Sequence, residues 1–337
     1  MPRVARSLAL LGLTVALSVP GLSAMAKATQ PWPLGTFTLL SGGVSDCPPG
    51  SLCQRFGISN CANVSQNAGG ELAVSEPSGT PRGTVMFFSG GTATDWWSDT
   101  SPMSQRFLAR LRSTDGFQVV QVRWVRPWLF AAAGEDAGPG HLACRPATLI
   151  SWVHDNVYVP LGLDPAVGAC GFCITGSSGG ASEVSYGLSF FGLDGILDGV
   201  FPTSGPPHAA QVKGCQPGFP GYAYGQDVRL VDASFGFLDP QHDPGPCATQ
   251  DAAWVPRWQA ESVDTGGNDF SHPTTRIEFI IGAKDRTAAP AHARDYRDLL
   301  LKDPLNDVTW TLVANMPHDI QLSIDGMSAL EATLLGS

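Results

Sequence analysis

The stretch CGFCITGSSGGAS, residues 170–182, offers two chemistries side by side. Its opening Cys-x-x-Cys is the spacing of a thiol redox pair, and the Gly-x-Ser-x-Gly that follows is the spacing of a serine nucleophile. A redox cysteine needs a helix N-terminus, where the dipole and free N–H groups lower the thiol pKa. Here the pair runs into the strand-like ITG instead. Cys170 and Cys173 therefore read as structural disulfide cysteines, partnered with each other or with a cysteine such as Cys144. The serine motif has the context its mechanism demands, because an apolar strand precedes it and an amphipathic helix follows from about Ala181. A sharp strand-to-helix turn exposes the serine and tolerates only small residues two before and two after it. Gly176 and Gly180 fill those places around Ser178.

On these residues the chain resembles the α/β-hydrolase superfamily over about Gly83 to the C-terminus, and among its members the secreted serine esterases, lipases and polyester depolymerases. The resemblance implies an order of Ser, then Asp or Glu, then His. Asp285 follows the apolar run RIEFIIGA, where that family keeps its acid, with Asp232, Asp239 and Asp243 as reserves. Two histidines come later: His292, in a helical pattern that suggests the surface, and His318, between the last strand and the last helix. His318 is the expected general base, with an ordinary pKa near 6.5. The oxyanion hole is expected from the N–H of Gly179 and a second N–H from Gly91 or Thr92, in the loop after TVMFF. Ser89 stands where many members carry the histidine of a His-Gly-Gly run, a departure that leaves the main-chain donors in place. Trp96, Trp97, His208 and Trp254 are candidate substrate-binding residues, the aromatic ones through their large faces. Asp239, His242 and Asp243 have the residue types of a metal cluster but the Pro/Gly setting of a turn, and no metal ligand set is assigned.

These side chains need elements to hold them. Short β-branched and aromatic runs at 84–90, 117–125, 171–176, 199–205, 276–283 and 308–315 alternate with segments of helical spacing, which predicts βαβ units and a mostly parallel central sheet with helices on both faces. The intervening helices are expected in 101–112, 147–158, 181–191, 290–301 and 323–335, where apolar residues recur three and four apart. Residues 27–82 read as an antiparallel lead-in. Residues 205–275, rich in Gly, Pro and aromatics, form the longest interruption, and long loops of this kind tend to be lids or binding loops. The expectation is one α/β-hydrolase domain over 27–337 with a cap insertion at about 205–275.

Arg3 and Arg6, an apolar run of about twelve residues and Ala24-Met25-Ala26 have the order of a secretory signal peptide, cleaved after Ala26. The run falls short of the roughly 20 residues that span a membrane, so no stable membrane insertion is expected. The formal charge is −10, and only 15% of residues are charged. Without a Lys/Arg cluster the chain is a poor nucleic-acid binder. Eight cysteines in an exported chain argue for disulfides; proximity favours pairing within Cys47, Cys53 and Cys61, and between Cys215 and Cys247. The function that follows is a secreted serine hydrolase acting on carboxylic esters, small or polymeric, through an acyl-enzyme and without a metal or organic cofactor. A serine peptidase and an inactive α/β-hydrolase binding module are the alternatives, and no motif assigns an oligomeric state.

Overall fold

In a computed structural model, residues 30–166, 168–223, 225–267 and 269–336 are described; the expected leader lies outside them. Three antiparallel strands open the chain: β1 (Thr36–Leu40), β2 (Leu52–Ser59) and β3 (Ala68–Ser75). Then come β4 (Gly83–Phe88), α1 (Pro102–Ser113), β5 (Phe117–Trp124), α2 (Cys144–Val153), β6 (Phe172–Ser177), α3 (Gly179–Phe191) and β7 (Gly199–Thr203). After an insertion holding α4 (Gly225–Ser234) and α5 (Val255–Glu261), the chain ends in β8 (Arg276–Gly282), α6 (Ala289–Leu300), β9 (Val308–Val313) and α7 (Ile324–Leu335). The strands form a single sheet in the order β1-β2-β3-β5-β4-β6-β7-β8-β9, antiparallel as far as the β3–β5 pair and parallel from β5 onward.

The sequence explains this layering. A parallel strand covered on both faces must be apolar at successive positions, and every residue of β4 and β6 is buried. Alternation along β4 then supplies two cores. Met86 and Phe88 join Val120, Val122, Ile174 and Val184 on the face covered by α2 and α3. Val85 and Phe87 meet Phe107, Leu111, Leu330 and Leu334 on the face covered by α1 and α7. Trimming a core phenylalanine of this kind to alanine costs about 3–5 kcal/mol. Helix starts are written locally: Ser101 and Ser104 form a capping box with Pro102 in the first turn of α1, and Ser323 caps α7 through the Gly326 N–H.

Two expectations need correction. The insertion between β7 and β8 is not one long loop but a set of short helices joined by turns: Pro246 and Pro256 sit in first turns, where the missing N–H costs nothing, and Asp251 caps the turn at Ala252–Trp254. Asp232 accepts the N–H groups of Cys247 and Ala248 there, so this reserve carboxylate is a local cap. Cys61 pairs with Cys144, at the start of α2, and not within its own sequence cluster; the other bridges are Cys47–Cys53, Cys170–Cys173 and Cys215–Cys247. Among the described residues no helix is long and apolar enough to cross a membrane.

Glu183, in α3, is fully buried and accepts a hydrogen bond from Trp124 Nε1 at 2.8 Å, while its Oε1 has no partner. Burial outweighs the Trp124 bond and pushes its carboxyl well above the ordinary range. A carboxyl whose folded pKa is raised is held neutral by the fold, so folding loses stability as pH climbs past its unfolded value of about 4.3. Glu183→Gln keeps the acceptor and cannot ionise. Its melting temperature should match that of the parent near pH 4 and exceed it by a few degrees at pH 8, measured by calorimetry; a lower value at pH 8 would contradict this assignment.

Candidate active site

Ser178 occupies the sharp turn between β6 and α3, at φ 53° and ψ −112°. An L-residue avoids that region, and holding one there costs about 1–3 kcal/mol. The flanks make the turn possible. A Cβ on Gly176 would lie 2.1 Å from the Gly180 carbonyl oxygen, and one on Gly180 would lie 2.5 Å from that of Phe88. The turn is pinned where the Ser178 N–H donates to the Thr203 carbonyl at 2.9 Å. Ser178 thus stands half-buried at the C-terminal edge of the parallel sheet, at the start of a helix.

Asp285 lies just past β8 and His318 just past β9, so adjacent parallel strands deliver both to the same edge. His318 Nε2 is 2.9 Å from Ser178 Oγ, and His318 Nδ1 is 2.8 Å from Asp285 Oδ2. The other carboxylate oxygen of Asp285 accepts both the N–H and the hydroxyl of Thr287, each at 2.8 Å. The sequence reading missed Thr287, although a threonine two residues after an aspartate is the pattern of a local turn that fixes the carboxylate. Burial would raise Asp285, but the bonds and charge of His318 and the two donors of Thr287 prevail and hold it below the ordinary carboxylate range. Burial likewise draws His318 down, and is outweighed by the bond and charge of Asp285 together with Asp319 and Asp227, so the imidazole sits above its ordinary value. Nδ1–H donating to Asp285 leaves Nε2 free to accept the Ser178 proton.

A cavity of about 550 Å³ opens over Ser178. Gly91, Thr92 and Gly179 all line it. Gly91, at φ +59°, approaches Gly179 so closely that a Cβ on the latter would lie 2.4 Å from the Gly91 carbonyl oxygen. As the first residue of α3, Gly179 has an N–H with no acceptor inside the helix. Ser89 shapes the loop by donating to the Asp95 carbonyl at 2.7 Å. His208 also lines the cavity, with Pro207, Gln226, Asp227 and Leu230.

Three of the expected aromatic contacts are elsewhere. Trp96 and Trp97 are 1% exposed: Trp96 donates its indole N–H to the Asp46 carbonyl, and Trp97 packs on Phe87 and Phe107 beneath the loop. Trp254 packs on Phe235 and Phe237 in the small core of the insertion. An aromatic pair in a Gly-rich loop is better stabilised by burial with its N–H satisfied than by facing a polar pocket. His292 is not on the surface either. It is buried, accepts the Ala210 N–H at Nδ1 and donates from Nε2 to the Tyr222 carbonyl, and burial holds its pKa near 4. Asp239 accepts the backbone N–H groups of Gln241 and His242, as a turn aspartate does, and Asp243 donates its backbone N–H to the Asp239 carbonyl.

Because His318 must be neutral to accept a proton, its raised pKa moves the acid limb of any reaction that uses it upward. Plotted against pH, kcat/KM should fall as pH drops through an apparent pKa above 6.5, where an unperturbed imidazole would titrate. An acid limb centred near 6 or lower would contradict the electrostatics described for this site.

No protein-family model matches the sequence, and no curated protein matches it. Solved structures do. Brefeldin A esterase, described as a bacterial homologue of human hormone sensitive lipase, superposes with a TM-score of 0.51 at 14% identity, over 87% of this chain and 78% of that one. Acetyl xylan esterase 1 from a Thermoanaerobacterium species superposes with a TM-score of 0.50 at 11% identity, over 90% of this chain and 87% of that one. With the nine-stranded, mostly parallel sheet and the serine turn at the end of β6, these likenesses give the chain its fold, that of the α/β-hydrolases.

Proposed function

We propose that the protein is a secreted serine hydrolase that cleaves carboxylic esters through an acyl-enzyme. The observation that carries this reading is the unbroken hydrogen-bonded series from Ser178 through His318 to Asp285, at 2.9 and 2.8 Å, at the floor of an open cavity. Ser178 Oγ attacks the ester carbonyl and its proton passes to His318 Nε2. Asp285, held by Thr287, orients the imidazole and stabilises the imidazolium. The N–H groups of Gly179 and Gly91 hold the oxyanion, a contribution worth about 10²- to 10³-fold in rate per donor. The carbonyl–oxygen bond to the alcohol breaks, the alcohol leaves with the proton from His318, and a water activated by the same base releases the acid.

Esters are favoured because the two similar proteins are esterases by name, one of them for acetyl groups on xylan. The substrate is a small ester or an ester group on a polymer. Export is supported by four disulfide bonds, which persist in oxidising compartments, and by the leader-like N-terminal sequence. The helices inserted between β7 and β8 act as a cap on the single catalytic domain, since α4 brings Gln226, Asp227 and Leu230 to the cavity wall.

Among the described residues that line this cavity, Pro207 and Leu230 alone have apolar side chains, so short acyl groups should be preferred. With p-nitrophenyl acetate, butyrate and laurate, the parent should hydrolyse the two short esters with higher kcat/KM than the laurate, and Ser178→Ala should lose about 10³-fold or more. No turnover by the parent, or equal turnover by Ser178→Ala, would overturn the proposal.

A further inference from the structure

The cavity over Ser178 contains a carboxylate that ester cleavage does not use. Asp227 lies in the first turn of α4, with a side chain only 14% exposed, and its Oδ2 has no hydrogen-bond partner among the described residues. The basic atom paired with it is Nε2 of His208, 3.9 Å from Oδ1. That imidazole is 1% exposed, its Nε2 has no hydrogen-bond partner, and its Nδ1 is engaged with Ser182 Oγ at 3.1 Å. Burial, with the nearby His292, depresses the pKa of His208 to about 3, so it brings no positive charge to Asp227.

No lysine or arginine lines the cavity among the described residues, whereas Asp95 and Asp319 stand exposed on its lining. Arg229 borders a separate, more apolar hollow of about 270 Å³ that shares Thr92, Gln226 and Leu230 with the cavity. The remaining titratable neighbours are Asp285, whose charge pushes Asp227 up, and His318, which pulls it down only while protonated. The proposed reaction needs His318 neutral before attack. Burial leads these effects and raises Asp227 to about 7, so above neutral pH a largely buried carboxylate, its Oδ2 shut off from solvent, stands in the cavity wall with no fixed counter-charge. Such a charge is costly unless it is paired.

We infer that Asp227 forms a subsite for an ammonium-type cationic group on the substrate, with His208 behind it and Asp95 and Asp319 attracting cations at the entrance. The inference deepens the ester-hydrolase reading and rests on it: the preferred esters carry a positive charge on their alcohol or acyl part. Anionic esters meet three carboxylates and are disfavoured.

Butyrylcholine and 3,3-dimethylbutyl butyrate test the inference, since they share one shape and differ by one charge. At pH 8 the parent should show a kcat/KM at least about tenfold higher for the choline ester. Asp227→Asn should bring that ratio to about one, and Asp227→Glu should restore part of it. Taking the ratio within each variant cancels any general loss of activity. A ratio near one in the parent would overturn the inference. So would a ratio that survives Asp227→Asn, including the case in which Asp227 serves only His318 and both esters slow equally. If neither ester is turned over, the hydrolase reading fails separately, and the subsite is then read from choline binding by calorimetry. Weaker choline binding to Asp227→Asn than to the parent would support the subsite, and equal or absent binding would overturn it.

Discussion

The site depends on one strained residue. Ser178 holds a backbone conformation that an L-residue avoids, and the surrounding packing leaves it no alternative. Gly176 and Gly180 pack with no room for a Cβ, β6 is locked between β4 and β7, and the Ser178 N–H is tied to the carbonyl of Thr203 at the end of β7. The strain is sustained by the central strands, which are buried on both faces. Its result is that one hydroxyl rises out of a buried sheet edge with the free N–H groups of a helix start beside it.

Parallel strands turn this local feature into a site. Because β8 and β9 run alongside β7 in the same direction, the loops at their C-terminal ends open at one edge, and Asp285 and His318 arrive there together. Thr287 occupies one oxygen of Asp285 and leaves the other to His318, so the geometry of the imidazole is set two bonds back from the reacting atom. The electrostatic character is acidic throughout. Asp285, Asp319 and Asp227 all raise His318, which in the proposed reaction makes it a better base and moves its working range toward neutral or alkaline pH.

Much of the scaffold was legible in the sequence because period and composition report burial directly. The apolar run of β4 and the Gly-x-Ser-x-Gly at the end of β6 have few structural readings, and Asp285 and His318 were singled out by the order that the resemblance to α/β-hydrolases implies. What escaped depends on contacts between distant segments. Nothing local marks Trp96 and Trp97 as core residues, since the carbonyl of Asp46 and the ring of Phe107 that receive them lie far away in the chain. His292 reads as a surface residue on a helical wheel, yet the insertion folds over it. Asp227 looks like an ordinary first-turn acid until α4 is placed against the cavity. Cys61 finds Cys144 because the end of β2 meets the start of α2, a pairing that no spacing along the chain contains.

The central claim is that Ser178, activated by His318, is the nucleophile. A fluorophosphonate forms a stable covalent adduct with an activated serine, and digestion followed by mass spectrometry locates it. The account predicts a single adduct on Ser178, formed by the parent and lost in a folded His318→Ala variant. An adduct on another residue, no adduct, or labelling of Ser178 that is unchanged without His318 would contradict it.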